Sequence, residues 1–214
     1  ITNINNGEVM NHIKSCFEEL GYKVVASVLK ASNYGVPQNR ERFFMVGNRL
    51  GIDFEFPKPS KNEISVWDAI SDLPDLENGQ SLEVGEYKCD LDSATPYQRL
   101  MRRKSVAPTQ NFVSRNNDLV IARYQHIPQG GNWKDIPDNL MTNYANKERC
   151  HSGIYRRLRA DKPSVVISNY RKSMLIHPYQ HRGLSVREAA RIQSFPDDFK
   201  FFGPISHIQQ QIGN

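Results

Sequence analysis

The stretch YGVPQNRERFFMVG, residues 34–47, joins a sharp turn to an apolar run and decides how the chain folds around it. Gly35 and Pro37 are strong turn formers. The run RFFMVG that follows them is typical of a strand covered on both faces of a sheet. Upstream, KVVASVLKA over residues 23–31 is rich in β-branched residues, which predicts a preceding strand. Together the two strands indicate the last part of a larger α/β sheet.

Helices are predicted before and well after this pair of strands. Apolar side chains recur at helical spacing through residues 9–20, and Gly21 can end that helix because it tolerates the left-handed conformation. Cys16 lies beside the apolar face, so we expect it in the core. Ser185 and Glu188 have the spacing of a capping box, which predicts the start of a late helix.

The middle of the chain has weaker patterns. Prolines between residues 57 and 74 surround a short helical stretch, residues 66–73, and mark a boundary. Residues 77–180 lack a long helical period, apart from a possible helix at 118–126, and VVIS over residues 165–168 is a strand candidate. These patterns favour an irregular, β-leaning unit in this region.

Charge is distributed unevenly along the 214 residues, although the net charge is only +5. Residues 1–96 sum to −6, whereas residues 97–191 hold 18 basic and 6 acidic side chains, and the remainder sums to −1. A basic middle between acidic flanks favours a polyanion as partner, with a merely solvated basic surface as the alternative.

Composition excludes several classes of protein. Hydrophobic residues make up 38% and charged residues 24% of the chain, which is typical of a folded domain. The sequence has no apolar run of the length that crosses a membrane, and its first residues lack a signal-peptide profile. Three cysteines cannot form a disulfide framework, so we expect a cytoplasmic protein. We predict no metal site.

Arg40 and Arg42 are the first candidate functional residues. In an extended chain, residues two apart point the same way, with Gln38 beside them. Guanidinium groups suit phosphate oxygens or a base carbonyl oxygen. Pairing with Glu41 or other nearby carboxylates is the equal alternative.

Several segments in register resemble the DNA (cytosine-5) methyltransferases. Residues 34–47 contain a Gly-x-Pro-Gln-x-Arg-x-Arg element similar to one in that family. GLSVREAARIQSFPDDFKFFG (183–203) resembles the helix after its target-recognition domain, and QQIGN (210–214) resembles the start of its last motif. GNWKDIP (131–137) and YRRLRADKPSVVIS (155–168) are similar to segments of bacterial recognition domains.

The resemblance implies a fold and a domain division. We expect an α/β protein with a partial Rossmann-like methyltransferase core, into which a small, irregular, β-rich target-recognition domain is inserted. Residues 1–75 would belong to the catalytic domain and residues 76–180 to the recognition domain. Residues 181–214 would return to the catalytic domain.

The resemblance also implies a reaction. In the family, a thiolate attacks C6 of a flipped-out cytosine, a glutamate steadies N3, and C5 takes a methyl group from S-adenosylmethionine. Carried over, Arg42 would reach O2 of the cytosine, while Arg40 and Gln38 would hold the adjoining backbone and the active-site loop. Asn214, with Gly213, would lie at the methyl donor.

Double-stranded DNA is the expected partner, and the basic middle of the chain supplies candidate contacts. The loop formed by Asn169, Tyr170, Arg171 and Lys172 can present amide, aromatic and cationic groups to bases. Phosphate contacts are expected from Lys147, Arg149, Arg156, Arg157 and Arg159. For any one of them, plain solvent exposure is the alternative.

The sequence also departs from the family pattern. The family's nucleophile follows a proline, whereas the cysteines here follow Ser15, Lys88 and Arg149. The Glu-Asn-Val element and the glycine-rich donor loop are missing. We therefore expect a catalytically incomplete chain that needs an N-terminal half, in a bacterial cytoplasm near the nucleoid. A stand-alone, non-catalytic DNA-binding module is the alternative, and a fragment of an RNA cytosine-5 methyltransferase is disfavoured by the recognition region of about 100 residues.

Overall fold

The computed structural model describes residues 7–60, 62–142, 153–168, 170–172 and 174–214, which form a mixed α/β fold. In chain order the helices and strands are α1 (Glu8–Glu19), β1 (Lys23–Lys30), β2 (Glu41–Asn48), α2 (Val66–Ile70), β3 (Ser81–Val84), α3 (Pro96–Arg102), β4 (Thr109–Phe112), α4 (Asp118–Gln125), α5 (Val186–Ile192) and α6 (Ile205–Gly213). None of the helices in these ranges is long and apolar enough to cross a membrane.

The predicted strands on either side of the turn form an antiparallel hairpin, in which Leu29 lies opposite Arg42 and Ser27 opposite Phe44. The prediction that the second strand is covered on both faces is wrong for the described residues. Phe44 is 47% exposed and Val28, in β1, is 49% exposed. Pairing with β1 protects only an edge of β2, and within the described ranges α1 is the helix that packs against the hairpin, so much of both faces stays open.

Helix α1 confirms the predicted amphipathic helix, but its apolar side is incompletely covered. It packs against β1, and Phe17 lines a shallow pocket with Val24 and Met45. No residue of α1 is buried, and Cys16 is exposed. The expectation that Cys16 lies in the core is therefore wrong. The hairpin of β1 and β2 is too small to cover the whole apolar side of α1, and Cys16 lies outside the covered part.

The main hydrophobic core forms around α5. Every residue of α5 is buried, and the helix packs against α2, α6 and β4. The predicted capping box is present: Ser185 Oγ accepts from the main-chain N–H of Glu188, and the Glu188 carboxylate accepts from the N–H of Ser185. Such a box satisfies N–H groups that have no partner inside the helix.

Buried ion pairs hold this core in register. Arg191 donates to both oxygens of Asp197 at 2.6 Å and also contacts Asp72, while Arg102 donates to Asp72 at 2.8 Å. All four side chains are at most 3% exposed. Removing one partner from such a buried network leaves an uncompensated charge, so these contacts fix which segments meet at α5.

The predicted β-rich region has little regular sheet. Helix α4 confirms the helix expected at 118–126, whereas β3 and β4 have four residues each. The strand predicted at 165–168 is wrong: the structure has instead a single parallel bridge between Ser164 and Gln38. A smaller hydrophobic core, separate from the main one, forms around α4. Its buried residues are Tyr124, Ile127, Ile136, Met141, Tyr155 and Ile176. Helices α2 and α5 belong to the two segments assigned to the catalytic domain, and both contribute to the main core. This contact is compatible with domain limits at residues 75 and 180 but does not define them, so the limits stay a prediction.

Candidate active-site wall

The loop between β1 and β2 is fixed by main-chain hydrogen bonds to a distant segment. Asn39 N–H donates to the carbonyl of Ser164 at 2.8 Å, and Ser164 N–H donates to the carbonyl of Pro37 at 2.9 Å. Within the hairpin, Ala31 N–H donates to the carbonyl of Arg40 at 2.8 Å. The conformation of residues 37–40 therefore depends on contacts more than 120 residues away along the chain.

Gln38 lies at the centre of this contact and is fully buried. Its Nε2 donates to Oε1 of Gln193 at 2.9 Å, and its Oε1 accepts from the main-chain N–H of Ile167 at 3.3 Å. The side chain thus anchors the loop in the interior, and it does not line the pocket that holds Arg40 and Arg42.

Arg40 connects the loop to two other segments. Its Nη1 lies 3.4 Å from the carbonyl oxygen of Ile167, and its Nη2 lies 3.3 Å from the main-chain oxygen of Asn214. Burial and the nearby charge of Arg42 lower the pKa of Arg40. The two guanidinium groups are therefore close enough to repel each other.

Arg40 and Arg42 line one open pocket of about 330 Å³, together with Leu29, Ala31, Tyr34, Phe44 and Pro57. Arg42 is exposed, and its Nη1 donates to the carbonyl of Glu41 at 2.7 Å. Neither arginine forms an ion pair with a carboxylate in the described part of the chain, which contradicts the pairing alternative. Apolar walls with cationic donors at one side suit a planar, polar-edged group.

Gly213 and Asn214 lie at the carboxyl end of α6, where Asn214 is in contact with Arg40. The structure thus brings Asn214, predicted at the methyl donor, next to Arg40, predicted to hold the active-site loop. Asn214 is exposed and Gly213 is half-buried. One edge made of two residues cannot enclose a nucleoside, so these residues alone do not form a site for S-adenosylmethionine.

Tyr170, predicted to face DNA bases, is a core residue. Its side chain is 2% exposed and belongs to the main hydrophobic core, so that prediction is wrong. Burial raises the pKa of Tyr170, and the neighbouring side chain of Gln209 opposes the shift. The VVIS run before it is partly buried, and the chain turns inward at Tyr170 because its ring fills space beside Leu184.

The prediction that Arg157 contacts phosphate is also wrong, since its side chain is only 3% exposed. Its guanidinium donates to the carbonyls of Ile127, Tyr124, His177 and Gln180 at 2.6–2.9 Å. Burial lowers its pKa. Its Nη2 also lies 3.0 Å from Nδ1 of His181. With four N–H donors bound to backbone carbonyls and the fifth directed at His181, the guanidinium has none left for DNA.

The other predicted DNA contacts lie at the surface or outside the described residues. Arg171 and Lys172 are exposed, Arg156 is half-buried, and Arg159 is exposed and paired with Asp161 at 2.8 Å. Lys147, Arg149 and Asn169 lie outside the described residues. Of the 18 basic residues in 97–191, the structure describes 16, and six of these are at most 3% exposed, namely Arg102, Arg123, Arg157, Arg182, Arg187 and Arg191. A third of the basic block therefore supports the fold.

Sequence reasoning missed Gln193, which bonds to Gln38 and also to the carbonyls of Ile167 and Ile212. Its only signal in the sequence is a polar Gln-Ser pair between the apolar end of α5 and Phe195. Such a pair is equally typical of an ordinary helix end, so the sequence alone could not assign it to this contact.

Comparisons with known proteins identify the family of the chain. The family model for C-5 cytosine-specific DNA methylases matches residues 1–214. A Type II methyltransferase of Haemophilus parahaemolyticus is 32% identical over 98% of this chain and 49% of its own length. One from Bacillus paralicheniformis is 32% identical over the whole chain and 54% of its own length.

A solved structure supports the same fold. A protein described as a DNA modification methyltransferase encoded within an Escherichia coli prophage superposes with a TM-score of 0.68 at 20% identity, covering 100% of this chain and 60% of that one. The chain thus spans about half the length of the curated relatives that it matches. Because the family model matches the whole of it, the chain belongs to the C-5 cytosine-specific DNA methylases.

Proposed function

We propose that this chain forms the target-recognition part and one active-site wall of a DNA (cytosine-5) methyltransferase. A complementary N-terminal half would supply the nucleophilic thiol and most of the site for S-adenosylmethionine. The observation that carries the proposal is the pocket shared by Arg40 and Arg42, with Arg40 bonded to Asn214. This contact supports a site in which Arg42 faces the base and Asn214 faces the methyl donor, with Arg40 between them.

Each residue of the wall has a distinct role in this proposal. Arg42, which is exposed and bonded only through one Nη to a backbone carbonyl, donates to O2 of the flipped cytosine. Donation to this oxygen stabilises negative charge that develops on the ring as a nucleophile adds. Arg40 holds the loop against Ile167 and Asn214, and Gln38 anchors it in the interior. S-adenosylmethionine, when bound, supplies the methyl group.

The open face of the hairpin is where we place the complementary half. The register puts Val25, Leu29, Phe44 and Val46 on the same face as Arg42, opposite the face that α1 covers. An apolar surface beside a catalytic pocket is the expected contact for the rest of a catalytic domain. The free Cys16 and Cys89 do not line the pocket that holds Arg40 and Arg42, so neither replaces the missing thiol.

Complementation tests this function. The chain is mixed with the complementary half encoded in its own genome, and transfer of labelled methyl groups from S-adenosylmethionine to duplex DNA is measured. Transfer is expected only when both parts are present. Duplex binding by the chain, with no transfer in any mixture, would favour the stand-alone binding module instead, and preferential transfer to structured RNA would point to an RNA methyltransferase.

A further inference from the structure

Three separate segments converge on Gln193, the residue that follows α5. Its Nε2 donates to the carbonyl of Ile167 at 3.1 Å and to the carbonyl of Ile212 at 2.6 Å, and its Oε1 accepts from Gln38 at 2.9 Å. One primary amide thus bonds to the hairpin loop, to the segment after Ser164, and to α6. Both N–H donors and the oxygen are engaged.

One acceptor of Gln193, the carbonyl of Ile167, also holds the loop. The carbonyl of Ile167 receives donors from both Gln193 and Arg40, while the N–H of Ile167 donates to Gln38. Gln38 is fully buried, so its Nε2 is left without a partner when an apolar side chain of the same size takes the place of Gln193. An unsatisfied buried amide is costly, and the loop would shift to relieve it.

We propose, on the basis of the function inferred above, that Gln193 is a positioning residue for the Arg40–Arg42 pocket. It couples the docking of α6, whose end carries Asn214, to the conformation of the loop that carries both arginines. Gln193 is not in the pocket lining and touches no reacting group. It acts through Ile167 and Gln38, so its loss misplaces Arg40 and Arg42 without removing either.

No other side chain of similar size satisfies all three contacts. Glu accepts from Gln38 but places a carboxylate against the carbonyl oxygens of Ile167 and Ile212. Met keeps the volume and removes every hydrogen bond. Gln193→Met is therefore the principal test, Gln193→Glu is the second variant, and Gln210→Met, an exposed position in α6, is the matched control.

The first measurement is amide hydrogen exchange of the 214-residue chain. In Gln193→Met we expect roughly tenfold faster exchange at Asn39 and Ile167, whose N–H groups bond to Ser164 and Gln38. Exchange in α2 and α5 and in the Gln210→Met control is expected to stay unchanged. Unchanged exchange at both amides, or acceleration spread equally over α2 and α5, would overturn the proposal.

The second measurement uses the complemented enzyme and separates kcat from KM. Because a displacement of about 1 Å at a catalytic group costs up to ~100-fold, we expect kcat to fall at least about tenfold in both Gln193 variants. KM for S-adenosylmethionine and the Kd for duplex should stay within about twofold. A rise in KM with kcat unchanged would overturn the positioning role. If the unaltered mixture transfers no methyl groups, the proposed function fails, and the exchange experiment alone decides about Gln193.

Discussion

At the scale of single residues, the arginines of this chain belong to two classes that the sequence does not distinguish. Arg187 is fully buried and donates to the carbonyls of Thr109, Pro196 and Phe199. Arg42 is exposed and lines a pocket. Guanidinium groups serve both purposes because a planar fork binds backbone carbonyls as readily as it binds ligand oxygens. Only the fold decides which class a given arginine joins.

Arg42→Ala is expected to separate chemistry from binding. If Arg42 donates to the base, then in the complemented enzyme the substitution should lower methyl transfer by about 100-fold or more, the usual cost of one such donor. Duplex affinity should change less than about threefold, because one surface contact among several is lost. Filter binding and single-turnover transfer measure the two quantities.

Arg49→Ala is the matched control for that experiment, since Arg49 is an exposed arginine that stacks on Tyr22 away from the pocket. It should leave both transfer and affinity near their original values. Equal losses of transfer and affinity in Arg42→Ala would mean that Arg42 contacts only the DNA backbone.

Arg157→Ala should act on stability and not on DNA contact. The substitution leaves the carbonyls of Ile127, Tyr124 and His177 without their donor inside the protein. We expect the free energy of unfolding to fall by about 3 kcal/mol or more, measured by urea denaturation. Arg171→Ala, at an exposed position, is the comparison and should change it by less than about 0.5 kcal/mol. A stable Arg157→Ala protein with weakened duplex binding would contradict this assignment.

At the scale of helices and strands, the sequence could predict those elements that depend mainly on local sequence pattern. β-Branched and apolar runs predicted β1 and β2, helical periodicity predicted α1, and a capping box predicted the start of α5. VVIS was predicted as a strand because its residues favour extended structure, yet the bridge in this region joins Gln38 to Ser164, the residue just before VVIS. Tyr170 was misplaced because long-range packing and not local pattern buries it.

His177 and Glu188, the latter in α5, are expected to make the stability of the protein depend on pH. His177 is 4% exposed, and its Nδ1 accepts from the main-chain N–H groups of Tyr179 and Gln180, so it must be neutral. Burial lowers the pKa of His177 to about 4, although the Glu188 carboxylate opposes the shift. Burial alone would raise the pKa of Glu188, but Arg182 lowers it to about 2.

Both shifts act in the same direction. Because the pKa of His177 is lower in the folded chain than in the unfolded chain, where it is about 6.5, the folded state favours the neutral imidazole. The resulting stability is fully present above pH 6.5 and is lost as pH falls towards 4. Glu188 adds a further loss as pH falls from about 4.5 towards 2. We expect the free energy of unfolding to drop by on the order of 3 kcal/mol between pH 7 and pH 4 from His177.

Urea denaturation as a function of pH checks this expectation. His177→Asn, which keeps an acceptor near Tyr179 and does not titrate, should flatten the curve between pH 6.5 and 4. His207→Asn, at an exposed position, is the control and should leave it unchanged. A curve for the unaltered protein that is flat down to pH 4 would show that His177 is charged in the folded state.

At the scale of the whole molecule, fewer of the basic side chains in residues 97–191 are available to contact DNA than the sequence suggests. Six of these 18 basic side chains are buried, and Arg159 is paired with Asp161. The exposed members of the described residues are Arg99, Arg103, Lys104, Arg115, Lys134, Arg159, Lys162, Arg171 and Lys172. Buried arginines release no counterions from DNA, so they cannot contribute to the salt dependence of binding.

Duplex binding should therefore depend on salt, but less steeply than the composition suggests. If part of the exposed set contacts phosphate, the slope of log K against log salt concentration should be roughly −4 to −8, whereas all 18 cations would give about −16. The double substitution Arg171→Ala with Lys172→Ala should reduce the slope by about 2. Lys14→Ala with Lys23→Ala, whose side chains lie in ion pairs on the α1 side, should leave it unchanged. A slope near zero would remove the electrostatic argument for DNA as partner, and a slope near −16 would require buried arginines to reach the surface on binding.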